Sequence, residues 1–282
     1  MKVLVFGARG QIGRALASYG NVQALDRAAV DLRDPQACAK AILNARPDAV
    51  INAAAMTDIT LAEATPDDAL RINAHAPGAM AQAAADLDVP FLHLSSDYVF
   101  DGTIGHAWPP DAAPAPLNAY GRSKLEGEIA VRAAGGSHAI LRTSWVFAPE
   151  GRNFLNTMLG LGKTRRRIEV VGDQLGGPTP ARDVAKALIR MAIALRGSPE
   201  KWGTYHFCGA PAVSWAEFAR AIFRRAGLRA EVDDISSSAL PGSVRRPANS
   251  TLDCTSAFWQ FGLVQPDWRA ALDEILRQPA AA

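Results

Sequence analysis

The opening of the chain constrains its fold more than any other feature. Residues 2–6 (KVLVF) form an apolar, β-branched run that leads straight into Gly7-Ala8-Arg9-Gly10-Gln11-Ile12-Gly13 and then into residues of helical character, 11–18. A short run apolar at nearly every position reads as a strand buried on both faces, the habit of parallel sheets. The same alternation continues downstream. Strands are expected at 21–25, 49–52, 91–95 and 139–142, and helices at 35–44, 67–86 and 120–132. Asp34 stands as an N-cap with Pro35 at the first helical position. Strand and helix in alternation predict an α/β fold: a Rossmann-type, doubly wound parallel sheet with helices on both faces.

Beyond Ala148 the alternation loosens. Helices at 154–161, 183–195, 215–226 and 270–277, with strands at 168–171 and 205–207, predict a smaller C-terminal α/β lobe. Residues 279–282 are expected to fray.

The spacing GxxGxxG between a strand and a helix lets backbone approach a pyrophosphate closely, and the helix start offers it unpaired N–H groups. Gly7, Gly10, Gln11, Ile12 and Gly13 are therefore candidate dinucleotide-binding residues, with a plain turn as the bland alternative. Asp26 ends the second strand, where a carboxylate accepts from an adenosine ribose. Arg27 follows at once and suits a 2′-phosphate instead, so NADH and NADPH both stay open. Asp31 and Leu32 lie where an adenine edge is bound. Residues 1–148 are thus expected to be a dinucleotide-binding domain. Residues 149–282 are expected to be mainly a substrate-binding lobe, with about 172–197 returning to the first domain.

Composition narrows the partners. The 282 residues are 49% apolar and 21% charged, with a formal net charge of +2. Nothing in that balance points to nucleic acid or to a membrane surface. The densest basic run, Arg165-Arg166-Arg167, reads as a solvated turn or strand edge. Cys38, Cys208 and Cys254 are far apart and odd in number, which outlines neither a disulfide framework nor a metal site. With no apolar run of membrane-spanning length and no leader-like start, a cytoplasmic location is expected.

The chemistry is written in two segments. Tyr120-Gly-Arg-Ser-Lys124 sets a phenol and an ammonium at i and i+4, one face of a helix. A nearby ammonium stabilises a tyrosinate and is expected to lower the phenol's pKa, tuning it to protonate a carbonyl oxygen as hydride reaches the carbon. The fourth strand ends in Ser95-Ser96-Asp97-Tyr98, at the strand ends where open α/β sheets bind ligands. The Ser96 hydroxyl there is suited to donate to the same oxygen, or simply to cap a turn. Between the two segments runs 101–117, with four prolines and two glycines; so long a loop suggests part of a site mouth. Glycine turn, Ser96, Tyr120 and Lys124 together describe a short-chain dehydrogenase.

Six segments go further: NAAAMT (52–57), LSSDYVFDG (94–102), APLNAYGRSKLEGE (115–128), LRTSWVF (141–147), GDQLGGPT (172–179) and RRPANSTLD (245–253). In this order, over nearly the whole chain, they resemble the dTDP-4-dehydrorhamnose reductase family, extended members of the short-chain dehydrogenases. The resemblance implies NAD(P)H-dependent reduction of the 4-keto group of a dTDP-linked 6-deoxy-hexulose to dTDP-L-rhamnose. It implies cofactor contacts at Gly10 to Ile12, Asp31, Leu32, Ala54, Ala55, Met56, Tyr120 and Lys124. Ser96, Asp97 and Trp145 would meet the sugar, and Arg245 and Arg246 the diphosphate. A reductase or epimerase for another nucleotide-linked keto-sugar, and a non-catalytic NADP-binding regulatory subunit, stay open as alternatives.

Three positions depart from the family pattern. Ser96 stands where threonine is usual, and Thr60 where an aspartate is usual. Arg14-Ala15 follows the glycine turn where some members carry a glutamate that holds a magnesium at a dimer contact. No metal is therefore expected, and the chain is expected to be a monomer or weak homodimer.

Overall fold

The computed structural model describes residues 1–239 and 244–277, so the C-terminal end expected to fray lies outside the described residues. Its centre is a six-stranded sheet: β1 (Val3–Phe6), β2 (Val22–Leu25), β3 (Ala49–Asn52), β4 (Phe91–Ser96), β5 (His138–Thr143) and β7 (Gly203–His206). The spatial order is β7-β5-β4-β3-β1-β2, and every pair is parallel. β1 and β3 are buried at every residue, which is why β1 reads as an unbroken apolar run and β3 as one that is apolar up to the buried Asn52. The strand order reverses at β1, and the crevice outside the strand ends at such a switch point is where these sheets bind ligands.

Helices cover both faces. α1 (Gln11–Ala17) and α6 (Ala181–Leu195) share one face, where Ile12, Leu16, Val184, Leu188 and Met191 join Val5 in a single apolar core. α2 (Pro35–Ala45), α3 (Ala76–Asp86) and α4 (Ala119–Ala133) cover the other, around Phe6, Ile42, Met80 and Val131. Asp34 caps α2, accepting from Ala37 N at 2.9 Å. A further core joins α5 (Phe154–Thr164), the parallel pair β6 (Arg167–Val171) and β8 (Glu231–Ile235), α7 (Trp215–Arg225) and α8 (Trp268–Arg277). The arginine run 165–167 lies at the exposed start of β6, where Arg167 pairs with Asp233 at 2.8 Å.

Between residues 57 and 86 the structure adds one helix to the sequence reading and a wide turn to another. The stretch before residue 67, to which the sequence reading assigns no element, holds a short helix, Ile59–Ala64, capped by Asp58. The long helix expected at 67–86 is present, running without interruption from Pro66 to Asp86, with a wide π turn at Arg71–His75 before α3. Pro77 supplies the reason: it has no N–H, and its ring collides with the carbonyl of residue i−4, here Asn73 inside the wide turn.

Candidate active site

A cleft of about 1880 Å³ runs along the carboxyl ends of the strands. That is roughly twice the upper size of a pocket for one drug-like molecule, and suits two ligands end to end. Seventeen of the eighteen residues singled out in the sequence line it; Gly13 does not. A Cβ on Gly13 would lie 1.9 Å from Gly7 O, so this glycine lets α1 close onto the β1 turn. Gly7 itself has φ +100°, open to glycine alone at low cost, and presses against the backbone of Ala53.

At the glycine-turn end the charges are mixed. Asp26 Oδ1 accepts from the amides of Ala28 and Ala29, both at 3.0 Å, and Oδ2 pairs with Arg9 at 2.7 Å. These backbone and arginine donors hold its carboxyl below the usual range. The carboxylate expected to meet a ribose is thus already engaged, and Arg9, inside the glycine turn, was not singled out in the sequence. Arg27 pairs with Asp31 at 3.2 Å, and Leu32 is buried beneath them.

Ser96, Tyr120 and Lys124 meet in the middle. Asn118 caps α4, accepting from Gly121 N at 2.8 Å, while Glu63 accepts from Ala119 N at 2.6 Å. Gly121 lets this end press on the 96–98 turn, since a Cβ there would sit 2.2 Å from Tyr98 O. The rings of Tyr120 and Tyr98 then meet edge to face at 5.6 Å. Ser96 Oγ donates to Asp97 Oδ1 at 2.9 Å and accepts from Tyr98 N at 3.2 Å. Asp97 Oδ2 is buried without a well-formed hydrogen bond among the described residues, although the buried Ser250 hydroxyl lies close enough to pull its carboxyl down. An orphaned acceptor on a cleft wall is what a hydroxyl-rich ligand would satisfy.

The electrostatics correct one expectation. Tyr120 is not lowered by Lys124: burial lifts its phenol to about 12, against a downward pull from the Ser96 hydroxyl. Lys124 is turned into the sheet, its Nζ donating to Leu94 O at 2.7 Å. Burial pulls the Lys124 ammonium down to about 8, with Glu128 acting in the other direction. Asp97, also buried, is lifted to about 6.

The far end is built from aromatic and basic groups. Trp145 has φ +48°, a left-handed conformation that costs a bulky residue strain. Its ring stacks on Trp215 at 3.5 Å and 7°. Arg245 and Arg246 are exposed on the cleft rim. Asn118, the α4 cap, also donates to Arg245 O at 2.8 Å, tying that rim to the Tyr120 helix. Loop 101–117 reaches the cleft through Asp101, Gly102, Thr103 and Leu117. It is pinned to the 245–253 segment through Trp108, whose Nε1 donates to Asn249 O at 3.0 Å. Trp215 and Tyr98 are cleft residues not singled out beforehand. Tyr98 was within reach, sitting in a quoted motif; Trp215 lies 70 positions from Trp145 in a helix whose pattern is one of ordinary packing.

The family model described as the RmlD substrate binding domain matches residues 1–280. The dTDP-4-dehydrorhamnose reductase of Burkholderia thailandensis is 41% identical over 295 residues, covering 98% of each chain. That of Sinorhizobium fredii is 40% identical over 278 residues, covering 95% of this chain and 94% of its own. This chain belongs to the dTDP-4-dehydrorhamnose reductase family. Two solved structures of reductases so named superpose closely. The one from Clostridium acetobutylicum has a TM-score of 0.91 at 33% identity over 98% of both chains. The one from Bacillus anthracis, in complex with NADP, has a TM-score of 0.91 at 31% identity, covering 98% of this chain and 99% of that one.

Against the family pattern, the three departures have plain local settings. Ser96 keeps the hydroxyl at the end of β4. Thr60 is exposed on the short 59–64 helix, facing the cleft. Arg14 approaches Glu150 at 3.6 Å across the start of α1. Among the described residues no helix is long and apolar enough to cross a membrane.

Proposed function

We propose that the chain reduces the 4-keto group of dTDP-4-dehydro-L-rhamnose to give dTDP-L-rhamnose, using NADPH or NADH, in the cytoplasm. The observation that carries this reading is the convergence of Ser96, Tyr120 and Lys124 at one point of a cleft flanked by a glycine turn and an aromatic–arginine rim.

Residues 1–148 would hold the cofactor and 149–282 mainly the sugar nucleotide. Gly7, Gly10, Gln11 and Ile12 suit the pyrophosphate, Asp31 and Leu32 the adenine edge, and Ala54 to Met56 the flat face of the cofactor. Asp26 is a ribose acceptor only if Arg9 yields. The bound nicotinamide supplies the hydride. Tyr120 supplies the proton to the ketone oxygen, and a phenol lifted to about 12 is fully protonated at the start of each reduction. Lys124 meets the nicotinamide ribose. Ser96 turns its hydrogen from Asp97 to the ketone oxygen, which leaves Asp97 to accept from a sugar hydroxyl. Trp145, braced by Trp215, flanks the sugar ring. Arg245 and Arg246 pair with the diphosphate, a task that suits planar guanidinium forks.

The test is direct. Purified protein is mixed with NADPH or NADH and isomers of dTDP-4-keto-6-deoxyhexose, absorbance loss is followed, and the sugar product is identified. Cofactor oxidation matched by dTDP-L-rhamnose is expected. Oxidation only with another nucleotide sugar would transfer the chain to the keto-sugar reductase alternative; binding without turnover would make it a regulatory subunit.

A further inference from the structure

Lys124 stands at the end of a hydrogen-bond chain that the reduction does not otherwise use. It begins at Ala54 N–H, which donates to Asn52 Oδ1 at 3.1 Å. An amide N–H needs an acceptor, so this contact fixes which way the Asn52 side chain faces. Its NH₂ group therefore meets His93 Nδ1, 3.2 Å away. Asn52 and His93 are register partners on β3 and β4, and both are wholly buried. Burial above all, with the Arg132 cation acting in the same direction, holds His93 well below its ordinary range, so the ring is neutral. A ring nitrogen that accepts from an amide carries no proton; the single proton of neutral His93 is on Nε2. Nε2 faces Lys124 Nζ at 3.4 Å.

That geometry discriminates between the two forms of the lysine. An ammonium has three donors and no lone pair, so it would set N–H against N–H. An amine accepts from Nε2–H and still donates to Leu94 O.

We propose that Asn52 and His93 form a tautomer lock that presents an N–H to Lys124 and favours its neutral amine, making His93 a positioning residue that sets the protonation of the lysine partner of Tyr120. The inference rests on the reading of Lys124 given under Proposed function. The other groups facing Lys124 are accounted for. Glu128, one turn along α4, favours the ammonium, but its carboxylate is engaged by Arg142 of β5 and by Arg132, both within 2.8 Å. Tyr120, one turn before, is neutral, and β3 contributes the uncharged Asn52. Lys124 therefore exchanges its proton in the neutral range instead of standing as a fixed cation.

Two measurements test this. Nitrogen-15 NMR of labelled histidines in the cofactor-free protein is expected to find His93 neutral at neutral pH, with Nε2 protonated and Nδ1 bare. An Nδ1–H tautomer or an imidazolium overturns the proposal. This readout needs no turnover, so it stays decisive even if the reductase reading fails. In kinetics, Asn52→Asp reverses the lock: the carboxylate accepts from Nδ1–H, and Nε2 accepts from the ammonium. The alkaline limb of the kcat/KM profile, expected near 8 in the wild type, moves up by about one pH unit or more. Asn52→Leu frees the tautomer without adding charge and moves the limb the same way by less. Limbs that stay in place in both folded variants overturn the proposal.

Discussion

Asp97 is the residue whose chemistry most clearly trades stability for a site. It is buried, one oxygen takes the Ser96 hydroxyl, and the other has no well-formed hydrogen bond among the described residues, with the Ser250 hydroxyl the donor beside the carboxyl. Burial lifts its pKa from the ordinary 3.8 to about 6. The folded protein thus binds that proton more tightly than the unfolded chain does. The stability this contributes is fully present below the unfolded value and is lost as pH rises through about 6. Asp97→Asn removes the cost of the buried charge and keeps an acceptor for Ser96. Thermal unfolding at pH above and below that value is expected to find the variant more stable than wild type on the alkaline side, by up to about 3 kcal/mol. The gain shrinks under acid conditions; an equal gain at both would contradict this account of Asp97. Ser96→Ala is a second case at this scale. It is expected to slow reduction more than it weakens substrate binding, and a change confined to KM would contradict a role in the transition state.

At the scale of elements, α4 carries the most function and the least ordinary packing. Its inner face holds Lys124 and Glu128, where a packing helix would place leucine. Glu128 is held by Arg142 at 2.7 Å, by Ser95 at 2.7 Å and by Arg132 at 2.8 Å, and neither member of the Glu128–Arg142 pair reaches solvent. Glu128→Ala leaves that guanidinium buried and unpaired, so urea unfolding is expected to record a loss of about 3–5 kcal/mol. A loss under 1 kcal/mol would mean that water replaces the carboxylate. Gly121→Ala drives a methyl into Tyr98 O and is expected to cost about 1–3 kcal/mol and to lower turnover by shifting Tyr120. Normal activity in that variant would separate Tyr120 from the close contact.

Elements were legible in the sequence where burial is two-sided: β1 is apolar throughout, β3 is apolar up to its last residue, Asn52, and both stand within a residue of where the pattern puts them. β8 (Glu231–Ile235) was not, because it is a half-exposed strand rich in acid and shows no run of buried positions. The helix Ile59–Ala64 was missed because six residues are too few for a helical period to declare itself.

For the molecule as a whole, one cleft gathers segments spread from Gly7 to Ala248. The glycine turn and the Tyr–Lys pair were legible because each chemistry needs a fixed local spacing. The Trp145–Trp215 stack and the Arg9–Asp26 pair were not, because they are made by folding and by no local pattern. A ligand that spans such a cleft stabilises the folded chain through mass action: NADPH at a hundred times its Kd is expected to add about 2.7 kcal/mol, read as a rise in Tm. The central claim is that the Tyr120 phenol protonates the ketone inside this cleft. The measurement that tests it most directly compares Tyr120→Phe with wild type in dTDP-keto-sugar turnover and in cofactor affinity by titration. The account predicts turnover lower by two or more orders of magnitude with cofactor binding retained; near-normal turnover in the phenylalanine variant would contradict it.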